Sequence, residues 1–272
     1  MNRIKKLVCL GGDDRSKYIS ARLNESGIYT DLTNEDIDFS DYDGIILPLP
    51  VSSDRKNIKG TQIDAESFCR NVDESKIIFA GKADERLKNI LLSRGITFFD
   101  YIQRPEFSSK NSVPTAFGVL QYVMLNSKIT MNNLKIAVVG YGNCGRAVCR
   151  LFKNVGADVI SASRKYITLA QAESDGIKSI LIKDLSKILP FADVIINTVP
   201  ASILKKQAID AINEEALIID ISSYPYGFDY DYAEKCGKKV NLLPSLPGKY
   251  FPQSAGYIIA DTIKNITEEE GL

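Results

Sequence analysis

The sequence predicts an α/β protein of two domains: a flavodoxin-like N-terminal α/β domain, then a Rossmann domain built on a doubly wound parallel sheet. Three observations predict it. Short apolar runs alternate with helical patterns, an order that implies a parallel sheet. Gly140, Gly142 and Gly145 fall at G-x-G-x-x-G spacing where one such run stops and a helix begins. The 272 residues are comfortable for two domains of ordinary size.

In the N-terminal domain, placed at 1–110, strands are expected at 6–10, 29–32, 44–47, 76–80 and 96–99, with helices at 16–25, 63–70 and 84–93. The first strand runs into Gly11-Gly12-Asp13-Asp14-Arg15. That turn lacks the third glycine, so it reads as a loop rather than a second dinucleotide site. Residues 101–112 are polar and irregular, and the domain boundary is placed there. A linking helix follows at 111–130, opened by Pro114, with Asn111, Ser112 and Thr115 near an N-terminus able to hold an anion.

The second domain, 131–250, is organised around its glycine turn. Residues 136–139 are continuously apolar, as in a strand buried on both faces. Gly140 permits the tight turn, Gly142 lets a pyrophosphate approach the backbone, and Gly145 lets helix pack on strand. With Tyr141, Asn143 and Cys144 they form the cofactor loop, and the helix at 143–154 aims free N–H groups at the phosphate. Cys144 reads as a space-filling residue, although a helix N-terminus would lower its pKa. The next strand, 158–163, ends in Ser163, Arg164 and Lys165, where an NAD site carries an acidic residue. A hydroxyl and two cations suit a 2′-phosphate, so NADP is predicted over NAD.

Further strands are expected at 177–182, 193–197, 216–221 and 239–243, with helices at 184–189 and 229–236. Their carboxyl ends carry Asn197-Thr198-Val199-Pro200, Ser222-Ser223, and Ser245 with Lys249, all expected at the nicotinamide end. Lys249 is the foremost acid/base or carboxylate-binding candidate, because a desolvated lysine changes pKa readily. Asp220 reads equally as a base or as a structural carboxylate. The final segment, 251–272, is expected to return toward the N-terminal domain through a helix at 252–266, with a frayed tail at 268–272.

Composition narrows the chemistry. Acids and bases balance at 34 each, so the footprint of a nucleic-acid binder is missing. There is no histidine, which excludes imidazole catalysis and histidine-based zinc, and the five cysteines lack a C-x-x-C pair. No metal site is expected, and the thiols fit a reducing cytoplasm. No apolar stretch has the length of a membrane span, and residues 1–10 are too short and polar for a signal peptide.

Several segments together resemble one family: GGDDR at 11–15, NSVPTAFG at 111–118, GYGNCG at 140–145, INTVPA at 196–201, IDISSYPYGFDY at 219–230 and LPSLPGKYFPQSAGYIIA at 243–260. The family is that of the dipicolinate synthase A chain, and the last segment is the most specific. The resemblance implies an architecture similar to 2-hydroxy-acid dehydrogenases without their histidine. It implies NADP-linked oxidation of a dihydrodipicolinate, or its hydroxylated tetrahydro precursor, to dipicolinate in the mother-cell cytoplasm of a sporulating bacterium. It also implies a partner, the flavoprotein-like B chain of dipicolinate synthase, and a homo-oligomer is expected. For such a dicarboxylate, Lys249 and Ser223 are the catalytic candidates. Thr115, Ser245 and Arg104 are the binding candidates, with Lys110 as a further cation. Tyr226 and Phe228 stand where the family favours Gly and Thr, Ser245 stands where Gly is usual, and Gln253 replaces a commonly basic residue.

Overall fold

The computed structural model describes residues 4–272. Residues 1–3, which open both the domain placed at 1–110 and the stretch judged too short for a signal peptide, lie outside the described residues. The chain forms two compact units. One holds the residues up to Asn111 together with Pro247–Leu272, and the other is Ser112–Leu246.

The first unit alternates strand and helix: β1 (Lys6–Leu10), α1 (Arg15–Glu25), β2 (Tyr29–Thr33), β3 (Gly44–Ile46), α2 (Ala65–Asn71), β4 (Ile77–Ala80), α3 (Glu85–Ser93) and β5 (Thr97–Asp100). All strand pairs are parallel, in the order β2-β1-β3-β4-β5. This is the flavodoxin-like order, whose topological switch lies between β1 and β3. Successive side chains of a strand point to opposite faces. Leu7 and Cys9 therefore join Ile19 and Leu23 on one face, while Val8 and Leu10 join Phe68, Leu87 and Leu91 on the other. Both faces are buried, which is why β1 reads as an unbroken apolar run. Asp64 and Asp84 cap α2 and α3, accepting from the N–H groups of Ser67 (2.7 Å) and Leu87 (2.9 Å).

A single helix, α4 (Pro105–Asn126), carries the chain onward with Pro114 inside it. This corrects the expectation of an irregular 101–112 and a helix opened by Pro114. Pro114 removes one ladder hydrogen bond, yet Phe107, 5% exposed and 5.9 Å from the Tyr101 ring, anchors the first turns. Packing overrides the weak local signal of a Ser-rich stretch.

The second unit contains β6 (Lys135–Val139), α5 (Asn143–Asn154), β7 (Asp158–Ser163), α6 (Tyr166–Ser174), β8 (Lys178–Leu181), β9 (Val194–Asn197), α7 (Lys206–Asp210), β10 (Leu217–Asp220), α8 (Tyr230–Lys235) and β11 (Val240–Leu242). Its six strands are parallel in the order β11-β10-β9-β6-β7-β8, the doubly wound dinucleotide-binding arrangement. Ala137, Val139, Ala162, Ile195 and Ile218 pack against Leu185, Leu204, Ile209 and Phe228. The helix expected at 184–189 is a 3₁₀ stretch, Ile182–Lys187, followed by a second, Leu189–Phe191. Pro190 has no N–H to donate to the Ser186 carbonyl and so stops a longer α-helix.

The chain ends in α9 (Leu246–Tyr250) and α10 (Pro252–Glu269). Ile259, Ala260, Ile263 and Ile266 of α10 enter the same cluster as Leu7, Ile19 and Leu23, so the last helix does return to the first unit. The tail is more ordered than expected. The helix runs through Glu269, and the Leu272 N–H donates to the Thr267 carbonyl at 2.9 Å. Among the described residues no helix is long and apolar enough to cross a membrane.

Candidate functional site

The glycine turn joins β6 to α5. Gly140 has φ of 100°, and a Cβ there would lie 2.7 Å from Val199 Cγ2. Gly145 rests on the Gly140 carbonyl group. Gly142 differs from both: a Cβ there would meet nothing within 4 Å. The first and last glycines thus hold strand and helix together, while the middle one faces open space. Gly142 is also the N-cap of α5 and supplies no side-chain cap. First-turn N–H groups beside an open approach fit a pyrophosphate.

The other loop residues split. Tyr141 is 6% exposed, and its hydroxyl donates to Asp175 Oδ2 at 2.8 Å. The same carboxylate takes a forked pair from Arg146, at 2.6 and 2.9 Å. Tyr141 is therefore an anchor for the turn, and only its backbone is left for a cofactor. Burial, then the Asp175 hydrogen bond and charge, push its phenol well above the usual range. Asn143 is exposed. Burial raises the Cys144 thiol pKa, opposite to the lowering expected at a helix N-terminus, which leaves the space-filling reading.

At the end of β7, Ser163 is 4% exposed and its Oγ has no hydrogen-bond partner. Arg164 and Lys165 follow, both exposed, and among the described residues neither has a carboxylate at ion-pair distance. A buried orphan hydroxyl beside two unneutralised cations fits a phosphate monoester.

The ends of β9 and β10 form a closed polar knot. Asp220, fully buried, accepts from Asn197 Nδ2 (2.9 Å) and the Ser222 N–H (2.9 Å) on Oδ1. Its Oδ2 accepts from the Gly227 N–H and the Tyr230 hydroxyl, both at 3.0 Å. Four donors leave no role as a base, so the structural reading of Asp220 holds. Asn197 also donates to the Val199 carbonyl (3.1 Å) and accepts its N–H (3.2 Å), while Thr198 Oγ1 donates to the Val139 carbonyl at 2.9 Å. The side chains of Asn197 and Thr198 are turned into the protein, and Val199 and Pro200 are the more open part of that loop. Of the serine pair, Ser222 is the buried one with an unpartnered hydroxyl, and Ser223 is exposed.

The substrate candidates are scattered by environment. Thr115 is 8% exposed within α4. Ser245 is exposed with φ of 58°, in the left-handed region that favours glycine. Tyr226 shares that conformation, φ 66°, so two positions where the family favours Gly are left-handed. Lys249 is exposed in α9, its ammonium 5.0 Å from the Tyr250 ring centre, and Lys110 is exposed in α4. Arg104 is corrected: its guanidinium is held by Glu106 (2.8 Å) and Glu269, so two carboxylates already occupy it. Sequence reasoning passes over Asp13, Arg15 and Lys59, although Arg15 stands in one of the family-like segments just past a strand end.

Comparison with known proteins agrees with this geometry. The family model of the acetohydroxy acid isomeroreductase NADPH-binding domain matches residues 130–248, and that of the N-terminal domain of the dipicolinate synthase A chain matches residues 6–102. The dipicolinate synthase A chain of Bacillus subtilis (strain 168) is 28% identical over 97% of this chain and 96% of its own. The crystal structure of the dipicolinate synthase A chain from Bacillus halodurans superposes with a TM-score of 0.89 at 26% identity, covering 97% of each chain. That of the Bacillus subtilis A chain gives 0.87 at 26%, covering 99% of this chain and 97% of the other. From its first strand to its last helix the chain is similar to the dipicolinate synthase A chain, and its second unit to an NADPH-binding domain.

Proposed function

We propose that this chain is the NADP-linked component of a dipicolinate synthase, oxidising dihydrodipicolinate, or its 4-hydroxy-tetrahydro precursor, to dipicolinate. The observation that carries the cofactor choice is the end of β7: an orphan buried Ser163 hydroxyl followed by two unneutralised cations, Arg164 and Lys165. The match of 130–248 to an NADPH-binding domain supports the same choice. The substrate follows from the whole-length relatives, both named for dipicolinate synthesis. Their designation by the first letter of a lettered set supports a second component, the B chain, as partner, flavoprotein-like as the family resemblance implies. The setting would be the mother-cell cytoplasm of a sporulating bacterium, with the chain as a homo-oligomer.

The residues divide the work. The open backbone at Gly142 and the first N–H groups of α5 would hold the pyrophosphate. Ser163, Arg164 and Lys165 would hold the 2′-phosphate. When bound, the nicotinamide supplies a hydride acceptor. From dihydrodipicolinate the oxidation removes one hydride and one proton, and from the hydroxylated precursor one water is lost besides; the product ring is aromatic, so the step runs downhill and positioning matters more than a strong base. A chain with no histidine, whose Asp220 is spent on four hydrogen bonds, suits that demand. Ser223 and Lys249 are the proposed groups at the reacting ring, with Thr115 and Ser245 toward the carboxylates.

The same commitment of Asp220 favours a second reading, in which the chain binds NADP and completes its partner's site without turning over alone. A thermal-shift titration with NADP, NADPH, NAD and NADH, with and without dipicolinate, tests the first step. A ligand at 100 times its Kd stabilises by about 2.7 kcal/mol, a readily measured shift. NADP-selective shifts enlarged by dipicolinate are expected, and no nucleotide shift would overturn the proposal. Turnover by the isolated chain then separates the two readings.

A further inference from the structure

The first unit has a topological switch point of its own. In an open parallel sheet, ligands bind outside the carboxyl ends of the strands where the order reverses. Here that point lies between β1 and β3. Gly11 and Gly12, with φ of 70° and 108°, turn the chain out of β1, and the Gly12 N–H donates to the Lys59 carbonyl at 2.6 Å. A Cβ on Gly11 would lie 2.5 Å from that carbonyl oxygen, and one on Gly60 would lie 2.7 Å from the Gly12 nitrogen. Glycine against glycine thus staples the loop bearing Lys59 to the turn bearing Asp13 and Arg15.

Three charges result. Arg15, 7% exposed, places Nε 2.8 Å from Asp13 Oδ1 and Nη2 2.8 Å from Asp13 Oδ2, and Nη2 also reaches the Leu49 carbonyl just past β3. Lys59 Nζ lies 2.6 Å from the same Asp13 Oδ2. Gly248 of α9 packs on the guanidinium, where a Cβ would lie 3.0 Å from Cζ. Two cations share one carboxylate, so the cluster keeps a net positive charge in a part-buried setting. Arg15 Nη1 has no hydrogen-bond partner among the described residues and is not occluded, so it reaches solvent. Lys59 likewise has ammonium N–H groups to spare. A buried guanidinium is held by paired acceptors, and here Nη1 is left to solvent and so open to an anionic ligand.

We propose that Arg15 Nη1 and Lys59 Nζ form a subsite for a carboxylate of the small acid this chain acts on, oriented by Asp13. Asp13 is a positioning residue. It fixes the plane of the guanidinium fork and draws Lys59 toward the same oxygen. The fork suits a carboxylate, which accepts from planar N–H donors at both oxygens. The identity of the ligand rests on the function proposed above, whereas the charge cluster lies wholly within the first unit and does not depend on the nucleotide.

Isothermal titration of the full chain with pyridine-2,6-dicarboxylate, without nucleotide, tests it. The variants are Lys59→Gln and Arg15→Lys, and NADP is titrated separately into each. Losing a hydrogen-bond donor to a charged group lowers affinity about tenfold or more, so both variants should bind the dicarboxylate that much more weakly. Their NADP affinity should stay within about twofold, a split that general unfolding would not produce. Lys59 is part exposed, so Lys59→Gln keeps the test open if Arg15→Lys fails to fold. Wild-type dicarboxylate affinity in a folded Lys59→Gln variant overturns the subsite. So does wild-type protein that binds NADP and no dicarboxylate. Loss of NADP binding alone would instead count against the cofactor reading and leave the subsite standing.

Discussion

A Cβ placed on Gly145 would lie 2.8 Å from the carbonyl carbon of Gly140, so backbone presses on backbone where β6 meets α5. The same measure at Gly142 finds nothing within 4 Å. The two glycines therefore answer different demands, one for folding and one for ligand approach. Gly145→Ala should destabilise by about 1–3 kcal/mol, the usual effect of overpacking a tight contact. Gly142→Ala, at φ −81°, should leave the melting temperature nearly unchanged yet weaken NADP binding about tenfold or more. Paired melting and titration curves check both; a Gly142→Ala variant with unimpaired affinity would remove the phosphate from this turn.

Reversing Arg164 and Lys165 to Glu should exchange the cofactor preference. Both side chains are exposed and without ion-pair partners among the described residues, so the fold has little stake in them. An acid at the end of β7 repels a 2′-phosphate and accepts from a ribose 2′-hydroxyl. NADP affinity should fall by about one to two orders of magnitude while NAD affinity holds or rises. Fluorescence titration with NADPH and NADH reads the ratio, and an unchanged ratio would sink the assignment.

How far these features can be read from sequence depends on how local they are. The strands are legible because each is an apolar run buried on both faces, and the glycine turn because spacing alone encodes it. The first turns of α4 are hidden because Ser108 and Ser109 are weak helix formers, and it takes the folded cluster around Tyr101 to make Phe107 an anchor. Arg104 looks available in sequence because its second partner, Glu269, lies in a terminal helix 165 residues away. Arg15 is inconspicuous for the same reason: its significance needs the Lys59 loop and the end of β3, neither adjacent in sequence. The family preference for Gly at 226 and 245 can be noted from sequence, but its cause, a left-handed backbone, is a property of the folded chain.

That cause gives a stability test. Ser245→Gly should stabilise by up to about 1 kcal/mol, because a side chain in the left-handed region is strained by roughly that amount; the greater freedom of glycine in the unfolded chain offsets part of it. Tyr226→Gly should show no such gain, since the Tyr226 ring lies 5.8 Å from Tyr224 and 5.9 Å from Tyr230 and those contacts would be lost. Denaturant melts of the two variants, read side by side, separate strain from packing.

Asp220→Ala should be far more damaging. It strips the acceptor from Asn197, Ser222, Gly227 and Tyr230 at once. Buried donors left unmatched cost about 1–3 kcal/mol each and do not add fully, so a loss of about 3 kcal/mol or more is expected. Tyr230→Phe removes one donor from the part-exposed edge of the knot and should cost about 1 kcal/mol. A mild Asp220→Ala phenotype with lost turnover would instead return Asp220 to the candidate bases.

Asp13 gives the stability of the first unit a pH signature. Burial disfavours its charge, but the hydrogen bonds and charges of Arg15 and Lys59 outweigh that and hold its carboxyl well below the usual carboxylate range. A depressed folded-state pKa contributes stability that is fully present above the unfolded value, about 3.9, and is lost as pH falls through the folded value. Between pH about 5 and 8 the wild type should therefore exceed Asp13→Asn in stability by a constant margin, and that margin should shrink steadily below pH about 4. The margin will be modest, because the side chain is 31% exposed and water screens part of the interaction. Melting temperatures of both proteins across that range decide the matter. A margin that widens with acid would mean that Asp13 is protonated in the folded chain and that Arg15 and Lys59 are held by something else.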